Sequence, residues 1–76
     1  MKLKSFKKYL HDELKDLYSL EELDSLFFIL INYYLEISKI AYIQNPQKLL
    51  KESIIKKIFS KIKLLKENMP IQYVIG

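Results

Sequence analysis

Seventy-six residues, half of them apolar and 29% charged, carry a formal net charge of +4 and no cysteine. A chain of that length forms one domain and buries only about 60% of the surface its unfolded form exposes, while six Tyr and four Phe argue against disorder. Disulfides and thiolate zinc sites are excluded, which is compatible with a reducing compartment; the expected localisation is cytoplasmic.

Lys2 and Lys4 precede a mixture of apolar and charged residues, so no signal peptide is read at the start. The first helix is expected over about Leu3 to Leu17. At about 100° per residue, Leu3, Phe6, Leu10, Leu14 and Leu17 fall on one stripe, with Tyr9 at its edge. Ser19 reads as a cap, and Glu22 three residues later completes a capping box. Glu21, Glu22 and Asp24 then place negative charge where the helix dipole favours it.

The second helix is expected from about Leu20 to Leu35. Leu23, Phe27, Leu30 and Tyr34 lie on one side, with Phe28 and Leu35 well away from them. A helix apolar on more than one face belongs in the middle of a bundle. Its apolar run, Leu26 to Tyr34, is broken by Asn32 and is too short to cross a bilayer, so no membrane partner is expected.

Ser38 can cap a short third helix carrying Ile40 and Ile43 and ending near Asn45-Pro46. In the last long helix Ile54, Ile55, Ile58, Phe59, Ile62 and Leu65 repeat with the rhythm of a buried face. Extending that helix backward would put Lys51 inside the stripe. It therefore starts near Lys51 or Glu52, with Gln47 to Leu50 as a turn. After Pro70, which ends a helix, Ile71, Tyr73 and Ile75 alternate with Gln72 and Val74. That period of two reads as a half-buried strand over residues 70–76, the opening strand of a further domain.

The tail Pro70-Ile71-Gln72-Tyr73-Val74-Ile75-Gly76 is similar to the Pro-Leu-Gln-Tyr-Ile-Leu-Gly segment of the HemK/PrmC family, the release-factor glutamine methyltransferases. Leu35-Glu36-Ile37-Ser38-Lys39 sits where that family has Leu-Gly-Leu-Ser-Arg. Leu50-Lys51 sits where it has Leu followed by a Ser or Thr cap. Order and spacing agree across nearly the whole chain. Three departures stand out: Glu36 for a usual glycine, Asn68-Met69 for a usual Gly-Glu, and Leu64 and Leu65 where many members have arginines.

Charge is uneven along the chain. Residues 1–18 hold five lysines against three acids, residues 19–38 four acids and no lysine, and residues 39–76 eight lysines against two acids. Lys4, Lys8 and Lys15, with His11, recur opposite the apolar stripe of the first helix, while Lys57 and Lys61 share an outer row of the last. These five lysines are the candidate partner-binding residues; the plainer reading is a solvated face that keeps a small bundle soluble. Every basic residue is lysine, so the bidentate fork that reads bases and phosphates is missing. His11 stands on the exposed side without a partner constellation, and no catalytic, cofactor or metal site is expected in this segment.

The expected fold is all-α: a small bundle of four to five helices over residues 1–69, then a linker strand over residues 70–76. The resemblance implies that 1–69 is the substrate-recognition domain and that 70–76 leads into a methyltransferase domain outside this sequence. It also implies a parent enzyme that uses S-adenosylmethionine to methylate the glutamine of the Gly-Gly-Gln motif of a peptide chain release factor. The release factor and the catalytic domain are then the implied partners. The alternatives are a stand-alone basic module binding nucleic acid, resting only on charge, and a helical dimerisation module, resting on the apolar girth of the second helix.

Overall fold

The stripe of the first helix is the place where folding is most constrained, because its side chains reach zero exposure. In a computed structural model describing residues 1–75, α1 (Leu3–Leu14) buries Leu3, Phe6, Leu10 and Leu14 completely. It packs on α2 (Leu20–Leu35) and α4 (Glu52–Lys66), which also pack on each other. The short α3 (Lys39–Gln44) sets Tyr42 against Phe27 and Phe28 of α2, and α5 (Ile71–Ile75) folds back onto α4. The architecture is all-α, as expected: α1 to α4 fall close to where the periodicity places them, and α5 stands where a strand is expected.

α1 ends at Leu14, earlier than the stripe suggests. The Leu17 and Tyr18 N–H groups both turn back to the Leu14 carbonyl, at 3.0 and 3.2 Å. Leu17 is thereby carried out of the core and left 42% exposed. At its other end α1 has no side-chain cap. The Leu3 and Lys4 N–H groups instead donate to the carbonyls of Lys48 and Pro46, both at 2.8 Å, and Leu50 N–H returns a bond of 2.9 Å to the Met1 carbonyl. Two of the orphan donors of a helix N-terminus are so satisfied by a distant loop.

α2 begins as its residues specify. Glu22 N–H donates to Ser19 Oγ at 3.2 Å and Ser19 N–H to Glu22 Oε1 at 3.1 Å, a complete capping box. Phe27 and Leu30 are fully buried, and Phe28 and Leu35 are half-buried on other faces, as a central helix requires. α3 is capped by Ser38, whose Oγ accepts from Ala41 N–H at 3.1 Å. α4 starts at Glu52, so Lys51 stays outside the stripe as its N-cap without a side-chain bond. Ile55, Ile58, Ile62 and Leu65 form its buried face, flanked by Ile54 and Phe59.

Both helix ends where the chain departs from the family's glycine lie in the left-handed region. Glu36, just beyond α2, has φ 55° and donates its N–H to the Asn32 carbonyl. Asn68, just beyond α4, has φ 64°. There Asn68 N–H reaches the Leu65 carbonyl at 3.0 Å and Met69 N–H the Leu64 carbonyl at 3.2 Å, the Schellman pattern. Glycine suits both positions, asparagine tolerates one, and glutamate is strained in the other.

The tail corrects the strand reading. Tyr73 and Val74 donate to the Pro70 carbonyl at 3.0 and 3.3 Å, and Ile71–Ile75 makes one helical turn; Gly76 lies outside the described residues. Ile71, Val74 and Ile75 share one helical face, with Val74 buried and Tyr73 75% exposed. Five residues satisfied both periods, and among the described residues no strand is available to pair with them. A local helix closes its own backbone bonds without a partner.

A tie on the surface joins α1 to α4: Lys66 Nζ donates to Glu13 Oε2 at 2.7 Å. That bond and the charge of Glu13 raise the lysine's pKa above the ordinary 10.5. Burial, with Glu13 adding, raises that of Tyr9 above 10.0. Both groups hold their protons more tightly in the folded state. Their contribution is therefore complete below their ordinary values and lost as pH rises through the raised ones. The melting temperature should fall as pH rises above the ordinary 10.0 of Tyr9, and Tyr9→Phe should shallow that decline; an equally steep decline would show that Tyr9 plays no part.

Phe27→Ala or Ile58→Ala should cost about 2–5 kcal/mol, read from thermal or denaturant melts. Glu36→Gly should raise stability by about 1 kcal/mol by relieving the left-handed residue. Lys51→Ser should add about 1 kcal/mol by supplying the missing cap of α4. Neutral or lower melts for both would mean that these ends are already satisfied.

Candidate interaction surface

Helix packing distributes the lysines unevenly. Lys4, Lys8 and Lys15 are exposed along α1, and Lys57 is exposed on α4, whereas Lys61 is half-buried. Among the described residues no hydrogen bond or ion pair links the α1 row to the α4 row. Lys4 and Lys8 line one depression and Lys57 stands over the Tyr34 wall of another, whereas Lys15 and Lys61 line neither.

The first surface is a shallow depression of about 360 Å³ lined by Lys4, Lys7, Lys8, His11 and Tyr42. Tyr42 is its aromatic wall, and two more rings pack against it. Phe27, Phe28 and Tyr42 meet edge to face, with centroids 5.1–5.8 Å apart. Lys7 Nζ lies 5.5–5.9 Å from all three rings, and Lys39 Nζ 5.3 Å from Phe28. Lys7 is therefore held by ring faces and also stands 3.6 Å from Asp24 Oδ1. Sequence reasoning passed over Lys7, because only the packed aromatics of α2 and α3 give it a role.

His11 and Asp24 sit differently from the reading of the sequence. His11 is half-buried at the seam of α1 and α2, its Nε2 3.2 Å from Asp24 Oδ1. That nitrogen is inaccessible and has no aligned hydrogen-bond partner, so the contact becomes an ion pair only when the ring carries a second proton. Asp24 lies beyond the first turn of α2, which holds Glu21 and Glu22, and serves Lys7 and His11. The side of α1 carrying His11 meets α2 at that point because α2 is packed on more than one face.

The second surface is a groove of about 320 Å³ between the end of α2, the segment 48–51 and the start of α4. Leu35, Ile37, Leu50 and Ile54 supply apolar lining, and Tyr33, Lys48, Leu49 and Lys51 are exposed along it. Tyr33 and Tyr34 stack edge to face at 4.9 Å, and Lys57 Nζ lies 5.7 Å above the Tyr34 ring. Burial first, then the neighbouring Tyr33 hydroxyl, raises the Tyr34 pKa above 10.0. The phenol is neutral, a donor and acceptor at the groove wall.

No trio of His, Asp or Glu able to hold a metal ion occurs among the described residues. No helix of the described residues is long and apolar enough to cross a membrane. What the surfaces offer is cation, aromatic ring and apolar floor, the elements of protein recognition.

Comparison with curated proteins and with solved structures gave no match. A family model described as the PrmC N-terminal domain matches residues 7–76, which include every helix from α2 to α5 and most of α1. The chain belongs to the PrmC N-terminal domain family.

Proposed function

We propose that this chain is the release-factor-positioning domain of an S-adenosylmethionine-dependent protein methyltransferase, whose target is the glutamine of a release factor's Gly-Gly-Gln motif. The observation that carries the reading is the family match over residues 7–76. Supporting it are the basic and aromatic surfaces of the bundle. Binding remote from the reacting atom contributes to the rate by orienting it. Such a domain acts through affinity and geometry, and methyl transfer belongs to a catalytic domain outside the sequence.

Lys57 and Lys61 stay in the candidate interface with Lys4, Lys8 and Lys15, and Lys66 is left out because Glu13 already holds it. Exposed charges act chiefly on association rate and salt sensitivity. In the full-length enzyme, Lys57→Glu with Lys61→Glu should raise the Michaelis constant for release factor by about threefold to tenfold at low salt. The constant for S-adenosylmethionine should not move. Lys57→Met, which keeps a long side chain over Tyr34 but no charge, separates lost charge from lost packing. An unchanged release-factor constant at low salt would remove this face from the interface.

A further inference from the structure

The segment Lys48–Lys51 is extended and has one edge in use. Lys2 and Leu49 face each other as an antiparallel bridge, flanked by the bonds Leu3 N–H to Lys48 O and Leu50 N–H to Met1 O. In a pair of this kind the two facing residues direct their own N–H and C=O groups away from each other. Among the described residues, neither the N–H nor the C=O of Leu49 has a backbone partner. Leu49 is 71% exposed, and Tyr33 across the groove is 55% exposed.

We propose that this edge and groove bind an extended, acidic segment of a protein partner by strand addition. Its backbone pairs with Leu49, one apolar side chain enters the groove over Leu35, Ile37 and Ile54, and its carboxylates meet Lys48, Lys51 and Lys57. Three observations converge on that occupant. The free backbone groups require a chain with its own unpaired donors and acceptors. The apolar lining requires a hydrophobic side chain. The charges select sign: Lys48 and Lys51 line the groove against the single acid Glu36, and Lys57 stands over its Tyr34 wall. The inference deepens the positioning role proposed above and rests on it for the identity of the partner, not for the chemistry of the site.

The test uses the 76-residue chain and a short capped peptide of alternating glutamate and leucine, titrated by heteronuclear NMR. Shifts should concentrate at Tyr33, Leu49, Lys51 and Ile54, leaving Lys4 and Lys8 unmoved. The same peptide N-methylated on its pairing edge should bind about tenfold more weakly, the scale of one or two net backbone hydrogen bonds. Lys48→Glu with Lys51→Glu, both exposed and outside the core, should weaken binding by a similar factor and restore it for a lysine-leucine peptide. Equal binding of the methylated peptide, or shifts centred on the α1 depression, would overturn the proposal. So would saturation by a second copy of the chain, seen as a concentration-dependent mass with shifts at Leu49. Because no release factor enters this titration, its failure and a failure of the kinetic test above are distinguishable.

Discussion

Phe27 is the point on which the bundle turns. Its ring, fully buried, touches Phe6 of α1 at 5.9 Å, Phe28 of its own helix at 5.3 Å and Tyr42 of α3 at 5.1 Å. Phe6 in turn stacks on Phe59 of α4 at 6.5 Å, and Phe59 on Tyr9 at 4.3 Å. One chain of rings therefore connects four helices, and offset or edge contacts of this kind add to the energy of simple burial. Lys7 is fixed over the same rings, so the basic depression is a consequence of the core. A domain with so narrow a stability margin cannot lose that centre and keep either surface.

The second constraint is backbone rather than side chain. Residues 1–4 are clasped by 46–50, and that clasp does three things together. It caps α1, it extends the loop before α4, and it leaves the outer edge of Leu49 unpaired. The groove beside Tyr33 exists because the loop is held straight there. Its recognition chemistry depends on a bond pattern made by the first residues of the chain.

These two constraints differ in how far the residues announced them. The core positions were legible, because Phe6, Phe27, Ile58 and Leu65 obey a helical period that only a buried face explains. The capping box at Ser19 and the start of α4 were equally legible, each from a local rule. The clasp was not, since a carbonyl from Lys48 or Pro46 bonding a distant N–H leaves no trace in residue type. The tail was misread for a related reason: over five residues the strand and helix periods coincide, and the outcome turned on whether a pairing edge was present. Of the five candidate lysines, four stand exposed as expected. The separation of Lys4 and Lys8 from Lys57, and the parts played by Lys7 and His11, follow from how α2 and α3 meet α1, which periodicity along a single helix cannot show.

The departures from the family's usual residues gain meaning once the ends of the helices are seen. Glu36 and Asn68 occupy left-handed positions that glycine fills without strain, and Lys51 occupies an N-cap that Ser or Thr would close. Glu36 and Lys51 each cost on the order of 1 kcal/mol and Asn68 less, and the bundle sustains the sum because a buried Phe or Leu contributes about 1.5–3 kcal/mol. Two of the three, Glu36 and Lys51, also line the groove beside Leu49. At those two positions the chain carries a long charged side chain where the family's residue would have been small. The groove wall therefore holds its chemistry at the expense of the helix ends that frame it, and the packing around Phe27 is what makes that arrangement sustainable.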